Sequence, residues 1–244
     1  MKQTETLLVD CDDSHAVEIL VFTTKQSENF SSVVSEELFN WLKQASPNLK
    51  AGEFCLKRDH MGAVSTVFFI LDDVFDHRSI SSLAAQLPAA HYKLQVLCDW
   101  DQDSLFHFCL AWGRAAYTFS RYKSCSAPTA CLSVPKSVDF KYLQNWLGVM
   151  GHAKDMINTP AEDLNPQHMV RICEDWAAEH GMSISIIQGE NLLKQGYPMI
   201  HAIGRGSDIP PALIDMRWGN SGDPKVTLIG KGVCFDTGGL NLKS

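Results

Sequence analysis

Apolar and polar positions alternate along the chain in two different periods. Residues 17–23 (VEILVFT), 66–71 (TVFFIL) and 93–98 (KLQVLC) are short runs rich in β-branched and aromatic side chains, which predict buried strands. Between the first two, Val33, Val34, Leu38 and Leu42 recur at helical spacing and predict a helix over 32–45, with Ser32 and Glu36 marking its start. Further helices are predicted at 79–87 and 102–121. The alternation of strand and helix predicts an α/β domain built on a central sheet.

Residues 124–136 (SCSAPTACLSVPK) interrupt the pattern with two prolines and small polar side chains, and read as a linker or an edge strand. A helix follows over 139–157, with Leu143, Trp146, Leu147 and Met150 on one face. NTPAEDLNP, 158–166, reads as a turn, with Asp163 or Asn165 capping a helix that starts at Pro166 and runs to His180. Strands are then expected at 183–187, 199–204, 212–217 and 225–230, with a short helix at 190–195. GNSGD, between the last two strands, predicts a tight turn or hairpin. The expected organisation is an N-terminal α/β domain over 1–135, a connecting helix over 136–157, and a second α/β domain from 158 to 244.

Composition changes this picture little. The 244 residues are 45% hydrophobic and 20% charged, as in an ordinary globular protein. The formal net charge of −7 argues against a nucleic-acid binder, which carries a basic stripe. None of the eight cysteines forms a C-x-x-C, and most lie in apolar runs such as FHFCLAW, so buried reduced thiols and a cytoplasmic location are expected. The N-terminal stretch has no signal-peptide pattern, and no apolar segment reaches the length of a membrane span.

Chemistry concentrates in LIGKGVCFDTGGLNLKS, 228–244. Lys231, Asp236 and Lys243 sit among glycines just beyond an apolar run, where open α/β sheets place their active-site residues. Three readings compete. A phosphate loop needs G-x-x-x-x-G-K-[ST], and Lys231 is followed by Gly232, with no glycine at 225. A metal site is compatible: Asp236 bridges divalent cations, one lysine loses its proton and ligates, and the other stays charged and polarises a carbonyl. A solvated loop whose lysines pair with acidic neighbours fits the spacing equally well. The nine histidines are scattered, with no H-x-x-x-H, and there is no G-x-S-x-G elbow. Asp215 and Arg217, on a predicted strand, read as a structural pair, and Asp99, Asp101 and Asp103 as a solvated helix start.

GKGVCFDTGGLNLK closely resembles the metal-binding segment of the leucine aminopeptidase (cytosol aminopeptidase) family. INTPAEDLNP (157–166) and YPMIHAIGRGSDIPPALIDMRW (197–218) resemble the segments that precede that site, so the match covers roughly the last hundred residues. The resemblance implies the first part of an α/β/α metallopeptidase catalytic domain. It implies two divalent cations, zinc or manganese, with Lys231 a ligand to the looser one and Asp236 bridging both. It also implies an activated bridging water that attacks the first peptide bond of substrates with a free N-terminus, Lys243 stabilising the oxyanion, a bicarbonate that shuttles the proton, and assembly into hexamers.

The family's remaining metal carboxylates lie downstream of the second lysine, an aspartate shortly after it and then an Asp and a Glu in an N-T-D-A-E-G-R-like motif, none of which 1–244 contains. The chain is therefore expected to be an incomplete form that is inactive alone, poorly soluble unless it associates, and too poor in donors to bind both cations fully. The rival expectation is a non-catalytic binding or regulatory module with a remnant metal site.

Overall fold

The computed structural model describes residues 7–10, 15–24, 34–72, 76–97, 100–126 and 128–234. It divides into two units, Met1–Lys154 and Asp155–Ser244.

The first unit is built on β1 (Leu8–Val9), β2 (Val17–Thr23), β3 (Phe54–Arg58), β4 (Val64–Leu71), β5 (His91–Val96) and β6 (Cys131–Ser133). These form one six-stranded sheet in the order β1-β6-β5-β2-β4-β3, parallel throughout except for the β3–β4 hairpin. The run VEILVFT is apolar on both sides because both faces of the sheet are covered. Ile19 and Val21 face one core with Val67, Phe69 and Leu71, while Leu20 and Phe22 face a second with Phe68 and Ile70.

Three helices cover these faces. The second core is closed by α1 (Glu36–Ala45), through Leu42, Leu38 and Trp41. The first is closed by α2 (His77–Gln86) and α3 (Gln102–Arg114). The cap of α1 is Ser35, whose side chain accepts from the Leu38 amide at 3.4 Å, so the helix starts later than expected. Ser32 and Val33 lie outside the described residues. Asp101 caps α3 by accepting from the Ser104 amide at 2.8 Å, in keeping with an acidic helix start; Asp99 lies outside the described residues.

Two expectations need correction. The helix expected over 102–121 ends at Arg114, because short-range bonds tighten its last turn: the amides of Ala115 and Ala116 donate to the carbonyls of Trp112 and Gly113. The stretch expected to be a linker or edge strand contributes β6, which lies inside the sheet between β1 and β5. Its three residues are too few to show a period, and only pairing with β1 and β5 reveals it. β1 and β3 escaped the sequence reading for a related reason: β1 has two residues and β3 (FCLKR) does not alternate.

Asp76 caps α2, accepting from the Arg78 amide at 2.9 Å and from the Ser79 hydroxyl at 2.6 Å. Those bonds, Ser79's first, hold its carboxyl below the ordinary value. A depressed folded pKa contributes stability above the unfolded value and loses it as pH falls through the folded one. Asp76→Ala is therefore expected to cost about 1 kcal/mol at neutral pH. The gap from the parent should narrow in urea denaturation curves as pH falls through the lowered titration of the folded carboxyl.

Helix α4 (Phe140–Asn158) follows, and the two units divide within it. Leu143 is buried and Leu147 and Met150 pack on the first core, whereas Trp146 is 42% exposed.

In the second unit, α5 (Pro166–His180) starts and stops where the sequence places it. The Asn165 side chain accepts from the amides of Gln167 and His168, Pro166 occupies the first turn, and Gly181 ends the helix in the left-handed region at φ 63°. The strands β7 (Ser183–Gln188) and β8 (Ala212–Arg217) pair antiparallel. Between them lie α6 (Glu190–Lys194) and α7 (Pro198–Gly204).

The strand expected at 199–204 is thus a helix. MIHAIG is apolar enough for either, and Pro198 decides by presetting the first helical turn. The helical register brings His201 Nε2 to 3.1 Å from Glu190 Oε1. Gly204 faces Pro211, where an added Cβ would sit 2.4 Å from the ring. A proline ring cannot rotate aside, so Gly204→Ala is expected to destabilise this unit by about 1–3 kcal/mol. Hydrogen exchange at the α7 and β8 amides, faster in the variant, would register it.

Candidate functional site

Strand β8 leads toward the segment carrying Lys231, Asp236 and Lys243. Asp215 and Arg217 alternate on its exposed side and pair with each other at 2.7 Å. The Arg217 hydrogen bond is the main reason the Asp215 carboxyl lies below the ordinary range. The two side chains thus pair with each other, as their alternation on the strand predicts.

The chain then turns. Gly219 takes φ 98°, which only glycine adopts freely, and Asp223 Oδ2 accepts from the Asn220 amide at 3.2 Å. The GNSGD turn is therefore present, but it does not produce the expected hairpin. Residues 225–230 form no strand, and the partner of β8 is β7. Val226, Leu228 and Ile229 are 82%, 92% and 95% exposed. An apolar β-branched run has strand propensity, but a strand exists only against a neighbour that completes its ladder. Among the described residues no chain lies along the second edge of β8.

Lys231 belongs to this exposed segment. Asp236 and Lys243, the other two candidates, lie outside the described residues. No group of three or more His, Cys, Asp or Glu side chains able to hold a metal occurs among the described residues. The described residues alone therefore do not fit a two-metal centre, since a divalent cation needs several converging donors to compete with water.

The described cysteines, Cys55, Cys109, Cys125, Cys131, Cys173 and Cys234, are free thiols. Burial pushes Cys109 up to about 12, which keeps it unreactive. Among the described residues no helix is long and apolar enough to cross a membrane.

Comparison with known proteins bears on both units. Residues 151–244 match the model of the cytosol aminopeptidase family's catalytic domain, and residues 20–135 match that of the M17 aminopeptidase N-terminal domain. Peptidase B of Cronobacter sakazakii is 38% identical over 110 residues, covering 42% of this chain and 26% of that protein. The crystal structure of a cytosol aminopeptidase from Coxiella burnetii superposes with a TM-score of 0.81 at 28% identity, over 94% of this chain and 50% of that one. The bottromycin maturation enzyme BotP, solved with Mn, shares the fold at a TM-score of 0.62 and 16% identity, over 85% of this chain and 46% of that one. The chain thus spans about a quarter of the curated relative, at 26%, and half of the first solved structure, at 50%.

Proposed function

Because the chain belongs to the cytosol aminopeptidase family, matched over both of that family's domains, we propose that it forms part of a metal-dependent aminopeptidase that releases leucine-like residues from peptides with a free N-terminus. The observation that carries this reading is the catalytic-domain match over 151–244, which takes in GKGVCFDTGGLNLK. Within that segment Lys231 and Asp236 would hold the cations, and Lys243 would be the ammonium that stabilises the developing oxyanion.

Bound cations would polarise the peptide carbonyl and lower the pKa of water. Zinc and manganese are the candidates, and the Mn complex of a protein with the same fold supports manganese. Bicarbonate as a proton shuttle, hexameric assembly and a cytoplasmic location complete the proposal. The domain limits proposed are 1–135, 136–157 and 158–244, with activity confined to the last together with donors that the described residues do not supply.

Two substrates test the reading. The natural protein is expected to hydrolyse leucyl-p-nitroanilide and to leave its N-acetyl derivative intact, because the free amine is part of what is recognised. Equal cleavage of both would show an endopeptidase or esterase instead.

A further inference from the structure

Helices α2 and α3 run alongside each other over the first core, and two residue pairs fix their alignment. The Ser81 hydroxyl of α2 donates to the Ala111 carbonyl of α3 at 2.6 Å. One turn earlier on both helices, the His77 and His107 rings meet edge to face with their centroids 5.4 Å apart. On its sheet side α2 presents Ile80, Leu83 and Ala84 to the apolar core.

Two imidazoles at this separation pack well while they are neutral. Protonated, they set two cations against each other across the helix pair. The two positions differ in what they offer a proton. His107 has Asp103 one turn before it, with Nε2 3.6 Å from Oδ2, so its cation meets a carboxylate. His77 is the first residue of α2, directly after the Asp76 cap, where the helix dipole opposes positive charge. Among the described residues, His107 and Arg114 on α3 oppose its cation and Asp76 favours it. Burial first, and then His107, hold its pKa below the ordinary histidine value.

We propose that the His77–His107 contact is an acid-sensitive latch: proton uptake in a mildly acidic medium drives α2 and α3 apart at this end and loosens the cover over the first core. The latch lies within the first unit and does not depend on the peptidase reading. Its sign follows from linkage. A histidine whose folded pKa is depressed contributes stability that is complete above its unfolded value, about 6.5. That stability is lost as pH falls through the unfolded value toward the folded one.

The test is hydrogen exchange in the natural protein at about pH 7.5 and about pH 5.5, corrected for the intrinsic rate, a window that spans the ordinary histidine value and stays above the carboxylates. Protection of the α2 and α3 amides is expected to fall on acidification and to return on neutralisation. In His77→Gln, whose side chain is polar and does not titrate, protection should be equal at both pH values. In His107→Gln, which removes one of the two cations, the loss should be smaller than in the parent. A second measurement needs no variant: in ¹³C-histidine NMR the His77 ring should titrate below the ordinary histidine range. The latch is overturned if parent protection does not change with pH, if either glutamine variant loses as much protection as the parent, or if the His77 ring titrates at or above the ordinary value.

Discussion

Asp236→Ala is expected to lower kcat on leucyl-p-nitroanilide by at least about a thousandfold in the natural protein. Losing even an outer hydrogen-bond partner of a metal ligand typically costs about 10- to 100-fold in affinity or activity, and a bridging carboxylate holds the cations directly. Lys243→Ala is the informative companion. An ammonium that faces an oxyanion contributes about 100- to 1,000-fold through charge that develops only in the transition state, without holding metal. The two variants should therefore separate on metal content. Asp236→Ala should lose bound manganese or zinc together with activity, while Lys243→Ala should keep the metal and lose activity. If both variants retained parent activity, the proposed roles of these residues would be wrong. If both retained full metal, Asp236 would not be a ligand.

Trp112→Ala is expected to be the most damaging substitution in the first unit. The indole is fully buried, 6.1 Å from the Tyr92 ring and 6.2 Å from that of Phe108. Its Nε1 donates to the Ala130 carbonyl at 3.1 Å, which ties α3 to the segment that leads into β6. Truncating a buried tryptophan to alanine costs about 3–5 kcal/mol through lost transfer energy and the cavity left behind. The Ala130 carbonyl would also lose its partner, at about 1–3 kcal/mol more if water cannot reach it. Domains are stable by only about 5–15 kcal/mol, so the variant should unfold at much lower urea, or accumulate as an insoluble product. A urea midpoint equal to the parent's would contradict this packing account.

The parts of the fold legible in the sequence are those whose signals are local and long. The buried run at 17–23 reads as a strand because both sheet faces need it apolar, and α5 is legible at both ends because Asn165, Pro166 and Gly181 carry the cap chemistry. What escaped depends on partners distant in sequence. β6 is a strand only because β1 and β5 lie on either side of it. Residues 225–230 have the composition of a buried strand, yet they stand exposed, with no strand beside them among the described residues. MIHAIG suits either state until Pro198 is weighed.

The candidate site was legible in another way. Spacing alone left phosphate, metal and a solvated loop open for Lys231, Asp236 and Lys243. Only the resemblance of the whole segment favoured metal, because two lysines and one carboxylate among glycines suit more than one ligand chemistry.

The central claim is that this chain contributes metal-holding residues to an aminopeptidase. Its most direct test is a metal titration of the natural protein, purified from its source cells, stripped with chelator and refilled with Mn²⁺ or Zn²⁺. The account predicts that cleavage of leucyl-p-nitroanilide disappears on stripping and returns as two cations bind per chain. Activity that survives complete removal of metal, or no activity at any metal loading, would contradict it.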